Sequence, residues 1–296
     1  MVGYTPLNNT NIRTNSNPGE RRITSTQTVM SSKDDSCQSL EDIFVAFDPI
    51  SLEEMDKVKL MNRVDTKFLV GFDMVPVLLR KAVEHYRIVE IDGLRASPYS
   101  SIYFDTEDVQ MYTMHHNGKL NRYKVRMRSY VSSGDSFLEI KRKSNKGRTS
   151  KKRVKITPEQ FLNISLDETS RVFIRETCPY EYTELRPVLQ NYFYRITLVD
   201  KNETERITMD IGLKFRSIGE EKYTDVGGLV IVEMKQDGAA RSHFRRYLNE
   251  MSVLPIGMSK YCLGMILTNP GLKNNRFKKK IRYINKIAKS NLVINS

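Results

Sequence analysis

The sequence predicts an α+β fold built on an antiparallel sheet that closes into a barrel around a basic interior. Three observations predict it. First, charged residues recur at every second position in separate strand-like segments, and most are basic: Lys124, Arg126 and Arg128 in KVRMRSY, Glu139, Lys141 and Lys143 in FLEIKRK, Arg206 and Asp210 in ERITMDI, Glu233 and Lys235 in VIVEMKQ, and Arg63, Asp65 and Lys67 in NRVDTKFLV. Successive side chains of a strand point to opposite faces, so each segment has one charged and one apolar face. Second, the strands come as hairpins: residues 120–131 and 135–144 flank SSGD, and residues 186–200 and 203–215 flank Lys201-Asn202. Third, helical patterns do not alternate regularly with strands, which argues against a parallel, doubly wound sheet.

The elements follow in order. Residues 1–39 are rich in Asn, Ser, Thr and Pro and poor in large apolar groups. Such a segment cannot bury enough surface to offset its ordering entropy, so a disordered tail is expected. From Leu40 to Met61 apolar residues recur at helical spacing, Pro49 separates two short helices, and Ser51 with Glu54 forms a capping box for the second. Residues 63–71 read as a strand, 74–86 as a helix, and RIVEID and SPYSSIYFDT as strands. EDVQMYTMHHNG reads as a short helix stopping at Gly118. The first hairpin follows, then a basic loop and strand in NKGRTSKKRVKI, and a helical segment from Thr157 to about residue 177. After the second hairpin come a strand in GGLVIVEMKQ, helices over 239–251 and 258–268, and a basic, partly amphipathic helix over 273–289. The organisation is a tail over 1–39, one folded domain over 40–270 and a basic C-terminal helix and tail over 271–296.

The chain has 296 residues and a formal charge of +13, which calls for an anionic partner. Nucleic acid, a membrane surface and a phosphorylated molecule are the candidates. The three cysteines are widely spaced with no CxxC pair, so a zinc site is not expected and a reducing cytoplasm is. No apolar run approaches the roughly 18 residues that span a bilayer, and the N-terminus has no signal-peptide core. Walker A, GxGxxG and GxSxG motifs are absent, and the four histidines offer no clear base.

The alternating charges remain. A sheet with one wet face shows the same alternation. Ordinary wet faces, however, mix both signs, because like charges directly opposite destabilise a sheet. Cations packed inside a barrel would repel, and the acids present are too few to pair them all. A ligand with several phosphates supplies the missing charge. Arg grips phosphate through paired donors and Lys acts as a point charge. Glu139, Asp210 and Glu233 could hold a hard divalent cation against the same phosphates. Ser259 and Lys260, after Pro255-Ile256-Gly257, start a helix and could cap a phosphate at a tunnel mouth.

YFDT, KVRMRSY, FLEIKRK, YRITL, ERITMD, VIVEMK and GMSKY, in that order, resemble the VTC domain, the polyphosphate polymerase domain of the triphosphate tunnel metalloenzymes. The resemblance covers roughly residues 40–268. It implies a tunnel of about eight antiparallel strands and transfer of the terminal phosphate of ATP to a growing polyphosphate chain with Mn²⁺ or Mg²⁺. It also implies roles. Arg126, Arg128, Lys141, Arg206 and Lys260 would be catalytic. Lys67, Lys152, Arg195, Lys235 and Ser259 would bind phosphate, and Glu233 would bind the metal. Lys152 is flanked by Lys151 and Arg153, either of which could take its place. Two positions depart from the family: Gly257 stands where a lysine is expected, and Phe193 where a tyrosine is.

Two other readings stay open: hydrolysis of tripolyphosphate or a nucleoside triphosphate by the same site, and a non-catalytic polyphosphate-binding module. Tyr and Phe alternate mostly with apolar residues, so a nucleic-acid groove is not expected. ATP and polyphosphate are the expected partners. The basic tail could also meet an anionic membrane surface or a membrane protein, which would make a cytoplasmic enzyme peripheral to the membrane.

Overall fold

A computed structural model of the chain describes residues 39–57, 63–146, 149–238 and 241–292. All but Ser39 of the expected disordered tail lies outside them. The two expected helices open the fold as Leu40–Val45 (α1) and Leu52–Lys57 (α2). The capping box forms: the Ser51 N–H donates to Glu54 Oε2 at 2.9 Å and the Glu54 N–H to Ser51 Oγ at 3.2 Å. Pro49–Ile50 (β1), expected only to separate the helices, is a short strand. It pairs in parallel with Tyr86–Val89 (β3), beyond Arg63–Gly71 (β2) and Val75–Ala82 (α3).

Ala96–Asp105 (β4), Gln110–His116 (α4), Arg122–Tyr130 (β5), Asp135–Lys143 (β6) and Thr149–Ile156 (β7) follow. Gly118 has φ +74°, the left-handed stop its position predicts. The helical segment over 157–177 is two helices, Pro158–Leu162 (α5) and Glu168–Thr177 (α6). The break falls at Ile164, which has φ +51°. Asp167 then caps α6 by accepting from the Ser170 N–H at 2.8 Å. The long hairpin is Arg186–Asp200 (β8) and Glu205–Ser217 (β9). Thr224–Asp225 (β10), Leu229–Asp237 (β11), His243–Glu250 (α7), Lys260–Thr268 (α8) and Lys278–Ala288 (α9) complete the described chain.

Strands β2-β11-β9-β8-β4-β5-β6-β7 lie side by side, each antiparallel to the next. The sheet curls: Lys141 on β6 lies within the field of Glu233 on β11 and Lys67 on β2, at the other end of that order. Among the described residues no ladder joins β2 to β7, so hydrogen bonding does not close the barrel. Instead the Ile256 N–H donates to the Lys67 carbonyl at 2.9 Å, along the free edge of β2. The β7 edge carries exposed Lys152 and Lys155, charges that discourage strand pairing.

Both faces of the sheet are covered. Outside, α5 and α6 bury Phe161 and Ile174 against Ile102, Val125, Leu138 and Ile140. Inside, α8 packs Tyr261 and Met265 in one cluster with Leu189, Leu213 and Phe215 of β8 and β9, and α9 adds Ile281 and Ile284 to that cluster from against β2 and β11. Gly264 makes this approach possible, since a Cβ there would lie 2.5 Å from the side chains of both Leu189 and Phe215. Among the described residues no helix is long and apolar enough to cross a membrane.

The C-terminal helix is therefore part of the folded core. Ile284 is fully buried. Ile284→Ala should cost about 2–5 kcal/mol of stability, and Gly264→Ala about 1–3 kcal/mol through overpacking. Urea unfolding of the two variants checks both; an Ile284→Ala protein as stable as the parent would mean that α9 is not docked.

Candidate active site

A register irregularity divides the interior. Tyr194 faces Ile211 but Tyr192 faces Lys214, so β9 carries one extra residue, and Gly212 takes φ +61° there. Before this bulge, β9 sends Arg206, Thr208 and Asp210 inward; beyond it, Leu213 and Phe215 face α8. Cross-strand partners extend the polar half. Arg206 pairs with Lys235, Thr208 with Glu233, and Glu233 with Lys67. Asp210 pairs with Arg195 and Arg195 with Ser97. Ser101 pairs with Arg128, Tyr103 with Arg126, Arg126 with Glu139, and Lys124 with Lys141.

Three carboxylates anchor these cations. Arg195 grips Asp210 with two bonds, Nε to Oδ1 at 2.7 Å and Nη2 to Oδ2 at 2.9 Å, and Lys260 Nζ donates to the same Oδ2. Burial opposes ionisation of Asp210, but Arg195 and Lys260 hold its carboxyl well below the usual range. Glu139 is 2% exposed in its side chain and accepts from Arg126 Nε at 2.8 Å, with Lys151 on its other oxygen. There too burial is outweighed: Arg126, Arg128 and Lys151 hold the carboxyl at about 2. Glu233 lies 2.9 Å from Lys67 Nζ. Against its burial, Lys67, Lys235 and Arg195 also hold it at about 2.

The remaining cations lean on neutral groups. Arg128 Nε donates to Ser101 Oγ at 3.1 Å, and its guanidinium stands 5.6 Å from the Tyr99 ring centre and 6.0 Å from that of Phe193. Lys260 Nζ lies 4.5 Å from the Phe193 centroid and the Arg195 guanidinium 5.5 Å from it. Phe193, a departure from the family pattern, thus offers a π face to cations where a hydroxyl was expected. Lys124 Nζ donates to Ser259 Oγ at 2.8 Å, while that oxygen also caps α8 by accepting from the Cys262 N–H at 3.3 Å. Burial pushes Lys124, Lys235 and Lys260 down to about 8, with neighbouring cations adding to it.

The structure brings Lys67, Arg126, Arg128, Lys141, Arg195, Arg206, Glu233, Lys235, Ser259 and Lys260 to one interior. It does not bring Lys152 there. The register sets Lys152 against Ile140 on the apolar face, whereas Lys151 pairs with Lys141 and bridges Glu139. In a run of consecutive basic residues, alternation alone cannot tell which face is inner. Thr208 faces in between Arg206 and Asp210, as its place in the alternation predicts. Tyr99 and Ser101 also line the interior, and their uncharged side chains give no such signal in the sequence. A lysine does stand beside position 257 after all: Lys280, from α9, donates from Nζ to the Gly257 carbonyl at 2.6 Å.

The sequence model of the VTC domain matches residues 62–269, well over half of the chain. The chain belongs to the VTC domain family. This VTC domain is thereby a tunnel-fold domain of the polyphosphate- and triphosphate-handling kind. Among solved structures it is partly similar to a Bacillus halodurans protein classed provisionally as an adenylate cyclase, at 13% identity over 67% of this chain and 96% of that one, with a TM-score of 0.43. A Hippeastrum protein, classed provisionally as an adenylyl cyclase and described as having a dominant triphosphatase activity, matches at 13% identity over 68% and 94% of the two chains, with a TM-score of 0.40. A Pyrococcus horikoshii protein matches at 12% identity over 69% and 98%, with a TM-score of 0.39. No curated protein matches the chain in sequence.

The depressed lysines give this VTC domain a pH signature. Free Lys124, Lys235 and Lys260 lose their protons as pH rises through about 8. A bound polyanion raises their pKa towards the ordinary lysine value, so above pH 8 the complex holds more protons than the free protein. A polyanionic ligand should therefore bind at least about tenfold more weakly at pH 9.5 than at pH 7. The same groups hold fewer protons folded than unfolded above pH 8, so their contribution to stability rises there. Calorimetry at the two pH values reads the affinity; an affinity that climbs with pH would contradict the assignment.

Proposed function

We propose that this VTC domain is a metal-dependent polyphosphate polymerase that transfers the terminal phosphate of ATP to an inorganic polyphosphate chain held in its basic interior. The observation that carries the reading is the state of three interior carboxylates, Asp210, Glu139 and Glu233. Asp210 and Glu139 are clamped by two cations each, and Glu139 and Glu233 are held at about 2. Groups held that low are poor bases for activating water. A phosphate acceptor needs none, because its oxygen arrives ionised. Phosphoryl transfer is then mostly positioning and neutralisation of spreading charge.

In this reading Arg126, Arg128, Lys141, Arg206 and Lys260 hold the triphosphate, and Lys67, Arg195, Lys235 and Ser259 complete the cradle. Lys151 takes the place expected of Lys152. A divalent cation, Mn²⁺ or Mg²⁺, fits the donor set only in part. Among the described residues no three His, Cys, Asp or Glu side chains gather as a metal cage. Glu233, whose side chain is 17% exposed, is the carboxylate placed to offer an oxygen. One carboxylate plus phosphate oxygens and water is an ordinary set for Mg²⁺. Bound there, the cation would neutralise charge on the phosphates. The solvent-facing cations of α9 suit an anionic membrane surface as a further partner, and no nucleic acid is expected.

Arg128 is the cleanest test, because it bonds Ser101 rather than a carboxylate. Arg128→Met should slow ATP-dependent chain growth by about a hundredfold or more without lowering the melting temperature. Arg126→Ala should lower both, since Glu139 loses a partner. Purified protein is given ATP and Mn²⁺ and the products are read on a gel. Orthophosphate release with no lengthening would make the enzyme a hydrolase.

Glu233 separates metal use from polyanion binding. Glu233→Gln should abolish Mn²⁺-dependent turnover while polyphosphate binding by calorimetry holds or tightens. Unchanged metal dependence would move the cation to another group.

A further inference from the structure

The C-terminal helix lies beyond the family-matched segment, which ends at residue 269, yet it reaches the basic interior. Phe277, Ile281, Ile284 and Ala288 are buried together, and this fixes the rotation of α9 about its axis. Lys280 is consequently turned inward and half-buried, while its neighbour Lys279 is exposed. Lys280 Nζ donates to the Gly257 carbonyl at 2.6 Å. A Cβ at Gly257 would lie 3.6 Å from Lys67 Cβ and Cδ, and Lys67 in turn meets Glu233. Lys280 is therefore one residue away from the row that carries the proposed metal ligand.

On its other side Lys280 belongs to a group of cations. Burial, and then the charges of Lys124, Arg122, Lys280 and Lys143, push the His115 imidazole down to about 2. Its Nδ1 is buried with no hydrogen-bond partner. A histidine so surrounded stays neutral and offsets none of that charge. The Gly257 carbonyl offers Lys280 a dipole, and Ser259 offers Lys124 a hydroxyl. Neither neutralises a cation. What would do so is an anion that can touch both.

We propose that Lys280 is a further phosphate-binding residue, delivered by the C-terminal helix to the end of the interior where Lys124, Lys143 and His115 converge, and that its ligand is linear inorganic polyphosphate. The inference rests on the polyphosphate reading above and extends it to a residue outside the family-matched segment.

The test compares full-length Lys280→Gln, Lys280→Arg and Lys279→Gln with the parent in calorimetric titrations of long-chain polyphosphate. Lys280→Gln keeps a donor for Gly257 and removes the charge. It should bind about tenfold more weakly, the scale of one charge-assisted contact. Lys280→Arg should restore most of the loss, and Lys279→Gln should stay within about twofold. Lys280→Gln within about twofold of the parent, or Lys279→Gln losing as much, would overturn the assignment. Should Lys280→Gln fail to fold, acetic anhydride labelling of the parent decides. Polyphosphate must protect Lys280 more than Lys279, and equal labelling overturns it. A parent that binds no polyphosphate overturns the proposed function itself. A parent that binds, with Lys280 indifferent, overturns only this inference.

Discussion

Asp210 is the charge on which the interior depends. It is 2% exposed and lies between two cations from different elements, Arg195 of β8 and Lys260 of α8. An uncompensated carboxylate at that depth would be strongly destabilising, and so would Arg195 and Lys260 left over the same Phe193 ring without it. Together they form a clamp that ties two adjacent strands to the start of a helix. The clamp sets the position of α8. Ser259, one residue earlier, is thereby brought to Lys124 on β5. Gly264, four residues later, is brought down onto Leu189 and Phe215.

The bulge on β9 lets one curled sheet serve two purposes. With an unbroken alternation, the inner face of β9 would continue at even positions past Asp210. The extra residue at Gly212 shifts it to Leu213 and Phe215 instead. The charged half thus ends where α8 begins to fill the curl with Tyr261, Met265 and Ile266. Apolar burial at that end and on the outer face supplies the cohesion that a repelling cation cluster cannot.

The strands, the hairpins and most of the inner charges can be read from the sequence because a strand's period is two and most of the inner charges alternate with apolar residues, as Lys124 and Arg126 do in KVRMRSY. The reading failed where that contrast is missing. In SKKRVK consecutive residues are basic, so the pattern points to Lys152 where the register turns Lys151 inward. Pro49–Ile50 reads as a break because two residues carry no period, yet pairing with β3 makes them a strand. The single helical segment over 157–177 hid the turn at Ile164, since a β-branched apolar residue gives no sign of a positive φ. In the sequence Lys280 is one cation in a basic run. Only the packing of Ile281 and Ile284 decides which lysine of that run faces in.

The electrostatics of the interior bear on its chemistry as well as its ligand. Lys124, Lys235 and Lys260 are held near 8 and carry their charge at neutral pH at a cost. A polyanion relieves that cost, so part of its binding energy is stored in the fold beforehand, as preorganised positive potential. The same cations hold Glu139 and Glu233 near 2 and Asp210 below the usual range. A site cannot press its acids that hard and still use them to take protons at pH 7. Charge neutralisation and base catalysis compete for the same carboxylates, and in this interior neutralisation wins. The chemistry it suits is one whose nucleophile arrives already ionised.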